Sequence, residues 1–158
     1  MRWTSQGPKL SERDITVFER RSRQKVPAEI RWFLANKING GHPKGGLEFS
    51  LVGFRGNSGF CLHGINGINH PSPNYDVLYE VQHKAPWCIR WVWPVGYDVY
   101  NGAVVFVREG QHKGQIRFIP FEEGHRGPLM RSYFVDPDIA TFARMLQLPA
   151  RDRRSQGQ

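Results

Sequence analysis

The side chains of this protein that could bind a metal ion are its six histidines and two cysteines. A zinc site needs ligands that converge, and its usual sequence signals are CxxC and HExxH spacings. Neither spacing occurs: Cys61 and His63 are the closest mixed pair, and the remaining histidines are scattered through expected loops. We therefore expect no metal and no cofactor. Cys61 and Cys88 are too few for a disulfide framework, and we expect both to be small buried residues.

A glycine-rich stretch, VPAEIRWFLANKINGGHPKGG, occupies residues 26–46 and could cradle a phosphate. Phosphates bind where backbone N–H groups point out of a helix N-terminus. Gly40 and Gly41 instead follow an apolar segment with helical spacing, and no Gly-Lys-Ser/Thr comes after them. The stretch therefore predicts a helix that Asn39-Gly40-Gly41 ends, with glycine in a left-handed conformation.

Catalytic motifs are equally weak. The Gly-x-Ser-x-Gly elbow of hydrolases is absent, since GNSGF at residues 56–60 lacks the spacing. Glu122 and Glu123 are adjacent, so in a strand they would point to opposite faces, which is a poor geometry for paired acid–base chemistry. A triad assembled by the fold leaves no signal in sequence order. From these residues we expect a protein that is not an enzyme.

The net charge of +8 is concentrated at the two ends of the chain. Residues 1–44 carry ten Lys/Arg against four Asp/Glu, and residues 151–158 carry three arginines against one Asp, whereas residues 45–150 are neutral. Such a surplus attracts an acidic protein, nucleic acid or a membrane surface, or it is only a solvated face. If it binds a partner, we expect Arg20, Arg21 and Arg23 to make the contact.

Length and apolar content suit one domain. The chain has 158 residues, of which 39% are hydrophobic and 13% aromatic, enough for a single packed core. No apolar run approaches the about 20 residues of a membrane span, and the first ten residues have no apolar signal core. We therefore expect a cytoplasmic protein that does not bind a membrane.

Aromatic residues beside arginine are the other candidate contacts. In WCIRWVWPVG, residues 87–96, a strand would place Trp87, Trp91 and Trp93 on one side. With Arg90 they could stack the bases of single-stranded nucleic acid, anchor a protein interface, or face the core, and the period of two favours the core. Trp32 lies off the apolar stripe of its helix, so we expect it to be partly exposed.

The residues after this segment are predicted to form a turn. Asn101 followed by glycine is a tight-turn signal, so Asn101 can be purely structural. Tyr97, Asp98 and Tyr100 then lie in or beside the turn. We expect them to be exposed and to contact a partner.

Two helices are predicted near the start of the chain. In LSERDITVFERRSRQ, residues 10–24, Ser11 is the expected N-cap, Ile15 and Phe18 are buried, and Glu19 faces outward with the arginines. Pro27 is expected as the first residue of the second helix. Its buried face follows the spacing i, i+3, i+4 and i+8 and consists of Ile30, Phe33, Leu34 and Ile38.

The remaining elements are strands and one final helix. Apolar or β-branched segments lie at residues 47–54, 59–65, 87–96, 102–109 and 114–123. The last two are split by the turn-like GQHKG and predict an antiparallel hairpin. Residues 75–82 either alternate as a strand or make one helical turn. The final helix is expected to have Asp136 as N-cap and Pro137 as first residue. Its expected buried face consists of Ile139, Phe142, Ala143 and Leu146.

This order of elements predicts an α+β fold. Two N-terminal helices and a C-terminal helix should pack on a mainly antiparallel sheet of about four to six strands, because helices and strands are segregated along the chain. The domain is expected over residues 10–148. Residues 149–158 form a basic tail that we expect to be disordered.

The front segment resembles the opening motif of the SUKH superfamily, which includes bacterial toxin-immunity proteins and a fungal regulator of cell-wall assembly. In ITVFERRSRQKVPAEIRWFLANKINGGHP, residues 15–43, Glu19 matches the acidic residue of the first helix. Val26-Pro27 matches the Leu/Val-Pro step, and Asn39-Gly40-Gly41 ends the motif. Similar segments follow in order at residues 60–66, 93–107, 114–124 and 133–146. The chain departs from the family where residues 119–122 replace a Trp-Asp-His-Glu string, and in being basic where many immunity members are acidic.

The resemblance implies a single α+β domain that acts by binding and not by catalysis. Its most concrete form is an immunity protein that occupies a cognate toxin. From the net charge of residues 1–44, ten Lys/Arg against four Asp/Glu, we expect the contact surface of that toxin to be acidic. The alternatives are a nucleic-acid-associated module that uses the basic helix and tail, and a scaffold protein of cell-wall or phage origin.

Overall fold

The structure is a computed structural model and describes residues 3–51, 59–79, 88–100, 102–120 and 132–147. Trp87, Asn101, Glu122, Glu123 and the basic tail lie outside the described residues. The side chain of Cys88 does as well, so the expectation that it is buried stays a prediction.

Helices and strands are largely segregated along the chain, as in α+β folds. The strands are β1 (Trp3–Thr4), β2 (His42–Pro43), β3 (Leu47–Ser50), β4 (Gly59–Leu62), β5 (Gly64–Ile65), β6 (Val92–Asp98), β7 (Gly102–Val107), β8 (Ile116–Pro120) and β9 (Tyr133–Asp136). The helices are α1 (Glu12–Ser22), α2 (Ala28–Asn36), α3 (Cys88–Trp91) and α4 (Ile139–Met145), and Pro73–Tyr75 forms a 3₁₀ turn. The predicted fold class is confirmed.

The main sheet has five strands in the order β5-β6-β7-β8-β9, and all its pairings are antiparallel. The predicted hairpin is confirmed as β7 and β8, in which Val104 pairs with Phe118. A β-bulge interrupts β6 between Pro94 and Gly96. Two smaller antiparallel pairs, β1–β2 and β3–β4, complete the sheet structure.

Aromatic rings join the last helix, the β3–β4 hairpin and the main sheet. Phe142 of α4 stacks on Phe49 with ring centroids 5.8 Å apart, and Phe49 stacks on Phe60 at 4.9 Å. Phe60 then stacks on Phe118 of β8 at 4.7 Å. Offset aromatic stacking adds to the free energy gained by burying this area, so these rings form a continuous part of the core.

Helix α1 is capped as predicted but buries one more residue. Ser11 accepts a hydrogen bond from the Asp14 N–H, and Asp14 accepts from the Ser11 N–H, which together form a capping box. Ile15 and Phe18 are buried, and Phe18 meets the ring of Trp93 edge-on at 6.2 Å. The prediction that Glu19 faces outward is wrong, since Glu19 is only 8% exposed.

Helix α2 ends before the glycines that were expected to end it. Its N-cap is Pro27, so the helix begins at Ala28 and not at Pro27 as predicted. Its C-cap is Lys37. Gly40 and Gly41 do have positive φ angles of 77° and 117°. They belong to a junction in which Gly41 bridges to β5, and not to the helix terminus.

Asn39 holds this junction together. Its side-chain amide donates to the carbonyls of Pro8 and Ile68 at 2.9 and 3.1 Å, and its Oδ1 accepts from the Ile68 N–H at 2.7 Å. The side chain therefore ties the N-terminal segment to the loop after β5. The Asn39-Gly40-Gly41 motif was predicted to end the helix. Its asparagine instead connects the segment after α2 to Pro8 and Ile68.

The tryptophan segment is not one strand over residues 87–96. Residues 88–91 form α3, and β6 begins only at Val92. Trp93 is 1% exposed and packs in the main core, whereas Trp91 packs against a second cluster that includes Val92 and Ile119. Because helix and strand place side chains at different periods, the two tryptophans lie in different clusters.

Two further boundaries differ from expectation, and one open alternative is decided. Residues 59–65 form two short strands, because the pairing changes partner from β3 to β6 at His63. Residues 77–79 are helical, which is the helical-turn alternative for residues 75–82. In α4 the N-cap is Asp138, which accepts the Thr141 N–H at 2.7 Å, and the predicted cap Asp136 is the buried last residue of β9.

Candidate partner-binding surface

The C-terminal end of α1 presents the predicted arginines together. Arg20, Arg21 and Arg23 are exposed, and we call them the basic helix end. Arg23 is the C-cap in the left-handed region, with φ of 57°, and turns the chain away from the helix. Among the described residues, no carboxylate forms an ion pair with any of the three. Cations in a last helical turn also complement the helix dipole.

Glu19 fixes the loop that follows the basic helix end. Its carboxylate accepts the Val26 N–H at 2.8 Å and the Arg31 Nη2 at 2.8 Å, with Lys25 Nζ at 3.4 Å. Burial alone would raise the pKa of Glu19, but the Val26 N–H and the charges of Arg31 and Lys25 together hold it below its usual range. Arg31 also pairs with Glu12. The α1–α2 connection is therefore held by a charged, buried acceptor.

A second candidate surface lies at one end of β6, where histidines and tyrosines contact one another. We call it the histidine–tyrosine cluster, and it consists of His42, His63, His70, Tyr75, Tyr97 and Tyr100. Tyr75 stacks on Tyr97 with centroids 6.3 Å apart and on His42 at 5.7 Å. The Tyr97 ring covers Gly64 so closely that a Cβ there would lie 2.7 Å from it. A Cβ at residue 64 would displace this ring, so Gly64 allows the close contact.

In two histidines of the cluster, both ring nitrogens form hydrogen bonds with other groups of the protein. His70 has Nε2 at 2.8 Å from the Ser5 carbonyl, and its Nδ1 accepts the Ser72 N–H at 3.0 Å. His42 has Nδ1 at 2.7 Å from the Tyr75 hydroxyl, and its Nε2 contacts the Thr4 hydroxyl. Such rings hold the N-terminal segment in place and have no lone pair left for a metal.

Asp98 organises the turn that carries the most exposed aromatic side chain. The prediction that Asp98 is exposed is wrong, because it is completely buried. It accepts the N–H groups of Cys61 and Tyr100, each at 2.9 Å, and lies 3.5 Å from His63 Nδ1. A buried carboxylate needs such donors. Tyr100 itself is 83% exposed and Val99 is 50% exposed, so two large side chains project from this turn into solvent.

The structure therefore brings the predicted contacts into separate groups. The prediction that Tyr97 is exposed is wrong, because it lies in β6 and is half-buried within the cluster, whereas Tyr100 is exposed beside it. Trp32 is 40% exposed, as expected, with Lys37 Nζ 5.4 Å from its ring centroid. Arg90 is exposed and stacks on Trp91 at 4.9 Å. Within the described ranges, no hydrogen bond, ion pair or ring contact joins Trp32 or Arg90 to the basic helix end.

Several features of this surface were not predicted from the sequence. The stacking of His42, Tyr75 and Tyr97 joins residues that are far apart in the chain, and no local spacing signals it. The buried position of Glu19 had one signal, its place in a short family motif. Cys61 is half-buried and not fully buried, and burial raises the pKa of its thiol, with the charges of Asp98 and Glu48 adding to this.

The described part of the chain contains neither a metal-binding cluster nor a helix that could span a membrane. There, no three or more His, Cys, Asp or Glu side chains gather closely enough to hold a metal ion. None of the helices described is long and apolar enough to span a membrane.

A family model described as the SMI1 / KNR4 family (SUKH-1) matches residues 9–144. The match covers both helices at the start, the main sheet and nearly all of α4. A search of curated proteins finds no match.

Proposed function

The chain belongs to the SMI1 / KNR4 family (SUKH-1), as the match over most of its length shows, and from this premise we propose that it is an immunity protein. In this proposal it is not an enzyme. It binds a cognate toxin directly in the cytoplasm and neutralises it by occluding or distorting the toxin's active site. Family membership supports a role of the immunity or SMI1 type, and the toxin partner is the further step that we propose.

The observation that carries the proposal is the basic helix end on its fixed support. Arg20, Arg21 and Arg23 are exposed together, and the loop after them is held by the buried carboxylate of Glu19. A surface that is ordered before binding loses less conformational entropy when the complex forms. Complementary charge also accelerates encounter and selects the partner. We therefore infer that the toxin offers an acidic contact surface.

Two features support binding over catalysis. The hydrogen bonds of His42 and His70 occupy both nitrogens of each ring, so neither is a free general base in this arrangement. The Cys61 thiol has a raised pKa, which keeps it protonated and makes it a poor nucleophile. Both features support the proposal that the polar groups of this surface stabilise the fold.

The test begins with the neighbouring gene. If a neighbouring gene encodes a toxin domain, that domain would be co-expressed with this chain, and growth of the host and recovery of a complex would be measured. Failure of the chain to restore growth or to bind that domain would contradict the immunity role.

Charge reversal then tests the contact. A variant with Arg20→Glu, Arg21→Glu and Arg23→Glu should bind the toxin at least about tenfold more weakly and lose the salt dependence of association. The matched control reverses three exposed cations elsewhere, Lys9→Glu, Lys44→Glu and Arg144→Glu. It has the same net charge as the first variant. Glu in a last helical turn costs about 0.3–1 kcal/mol each, so circular dichroism must first show both variants to be folded. Equal affinity of the two variants, or a complex unchanged by high salt, would refute the acidic contact.

The same basic helix end supports one alternative, binding of nucleic acid. A gel-shift titration separates the two, because binding to phosphates weakens steeply with salt and should fall when residues 149–158 are removed. The scaffold role would be tested by a pull-down from the native host, and recovery of wall or phage components without a toxin would favour it.

A further inference from the structure

A cleft of about 190 Å³ lies beside the basic helix end, between the α1–α2 loop and the β7–β8 hairpin. It is lined on the loop side by Lys25, Val26, Pro27 and Glu29, and on the hairpin side by Phe106, Arg108, Glu109 and Lys113. This volume is below the about 300–1,000 Å³ of sites for whole small molecules. The cleft therefore has room for a side chain and not for a cofactor.

Both walls of the cleft are fixed by hydrogen bonds. On the loop side, Glu19 holds the Val26 N–H. Arg108 Nη2 donates to the Lys25 carbonyl at 3.3 Å, which ties the hairpin to the loop. At the hairpin turn, the Gly114 N–H donates to the Val107 carbonyl at 2.9 Å. The cleft is thus present before any partner binds.

The lining combines an apolar floor with cations at the rim. Val26 and Phe106 are buried, whereas Lys25 and Lys113 are exposed. Arg108 is partly buried, and this loss of hydration lowers the pKa of its guanidinium, although Arg remains charged. A cation that has lost hydration gains most from an incoming carboxylate. Lys25 follows Arg23 by two residues, so the cleft continues the basic helix end.

We propose that the cleft receives an Asp or Glu side chain of an acidic protein partner, with Arg108 as the central donor and Lys25 and Lys113 beside it. This rests on the proposed function, because it locates the acidic contact of the toxin. The small volume of the cleft, which fits one side chain, favours a carboxylate side chain of a polypeptide over the backbone of a nucleic acid.

The direct test uses a fluorescent hexaglutamate peptide as probe and the full chain as it is. Hexaglutamate should bind in a salt-dependent manner and shift amide resonances of the α1–α2 loop and the hairpin turn. Lys113→Glu should weaken binding by about fivefold to tenfold, the size expected when one exposed ion pair is lost and one repulsion is gained. The matched control, Lys44→Glu, also reverses an exposed lysine in a turn and should change affinity by less than about twofold.

A second variant addresses the central donor. Arg108→Gln should weaken hexaglutamate binding by about tenfold or more, because the partly buried cation is replaced by a neutral group. If this variant fails to fold, Lys113→Glu still decides, since that side chain is exposed. No binding of hexaglutamate, or equal effects of Lys113→Glu and Lys44→Glu, would overturn the proposal. Tighter binding of a single-stranded hexanucleotide with the same loss in Lys113→Glu would overturn it in favour of nucleic acid.

The outcome can be separated from that of the proposed function. If the chain neutralises the neighbouring toxin and Lys113→Glu neutralises it as well as Lys44→Glu does, the cleft proposal fails and the immunity role stands. If hexaglutamate binds and responds to Lys113→Glu while no toxin is neutralised, the immunity role fails and the cleft stands as a carboxylate site.

Discussion

Replacing Glu19 by Gln should separate the charge of the buried acceptor from its shape. Gln keeps an oxygen that can accept the Val26 N–H, but it removes the negative charge that faces Arg31 and Lys25. The matched change is Glu12→Gln, which removes a carboxylate from the same cation, Arg31, at an exposed position. The Glu12 side chain is 72% exposed, against 7% for Glu19. The two positions therefore differ in burial and in the contacts that Glu19 alone makes to the Val26 N–H and Lys25.

The expected magnitudes differ for physical reasons. A hydrogen bond to a charged group contributes about 1.5–3 kcal/mol, so losing the charge of Glu19 should lower the free energy of unfolding by about 2 kcal/mol. The about 3–5 kcal/mol cost of an orphaned buried charge is an upper bound, because Arg31 is 25% exposed and keeps Glu12. An exposed pair contributes about 0–1 kcal/mol, so Glu12→Gln should cost less than about 0.5 kcal/mol.

The assay is urea unfolding followed by tryptophan fluorescence, at pH 7 and at acid pH. Because the folded-state pKa of Glu19 is lowered, its contribution is fully present above the unfolded value of about 4.3. It is lost as pH falls through the folded value. The difference between wild type and Glu19→Gln should therefore shrink in acid. Equal costs for the two variants at pH 7, or a difference that persists at the lowest pH where the protein is folded, would show that the charge of Glu19 does not stabilise the fold in this way.

Three further predictions concern stability. Asn39→Ala should lower the free energy of unfolding by about 3 kcal/mol, because the Ile68 N–H and two carbonyls lose their partner. Asn36→Ala removes one exposed hydrogen bond and should lower it by under about 0.5 kcal/mol. Equal urea midpoints for these two variants would contradict the bracing role. Asp138→Ala should cost about 1 kcal/mol in thermal unfolding through loss of the N-cap, and Asp138→Asn, which keeps an acceptor, should cost much less. Burial raises the pKa of Asp136 to about 6, so the folded state loses stability as pH rises from about 4 through 6, by on the order of 2 kcal/mol. Asp136→Asn should remove this component, and an unfolding free-energy difference from wild type that stays constant from about pH 4 to pH 7 would show that Asp136 does not titrate in this way.

Helices α1, α2 and α4 were predicted well because their signals are local, whereas α3 was predicted as part of a strand. Ser11 and Asp14 cap α1 within one turn, and the apolar spacing of Ile30, Phe33 and Leu34 is the spacing of a helix face. The boundaries failed where a tertiary contact competed with a local signal. Asp136 has the sequence of an N-cap, but the β8–β9 pairing extends the strand through it and moves the cap to Asp138.

The candidate surface was predicted less well, because exposure is decided by packing. Arg20, Arg21, Arg23, Trp32 and Tyr100 are exposed as expected. Asp98 looked like a turn residue of the same kind. It is buried because N–H groups from β4 and from the β6–β7 turn converge on its carboxylate, and one of these donors lies 37 residues away in sequence.

By itself the sequence determined the α+β class, the helix faces, the β7–β8 hairpin and the family, since each depends on spacings of a few residues or on the order of short motifs. The tertiary structure decided which charges are buried, which rings stack and where a cleft forms. Glu19 meets Arg31 across two helices, and Arg108 meets the Lys25 carbonyl across 83 residues. Such pairs form because the packed core brings distant segments together, and local periodicity carries no information about which segments meet.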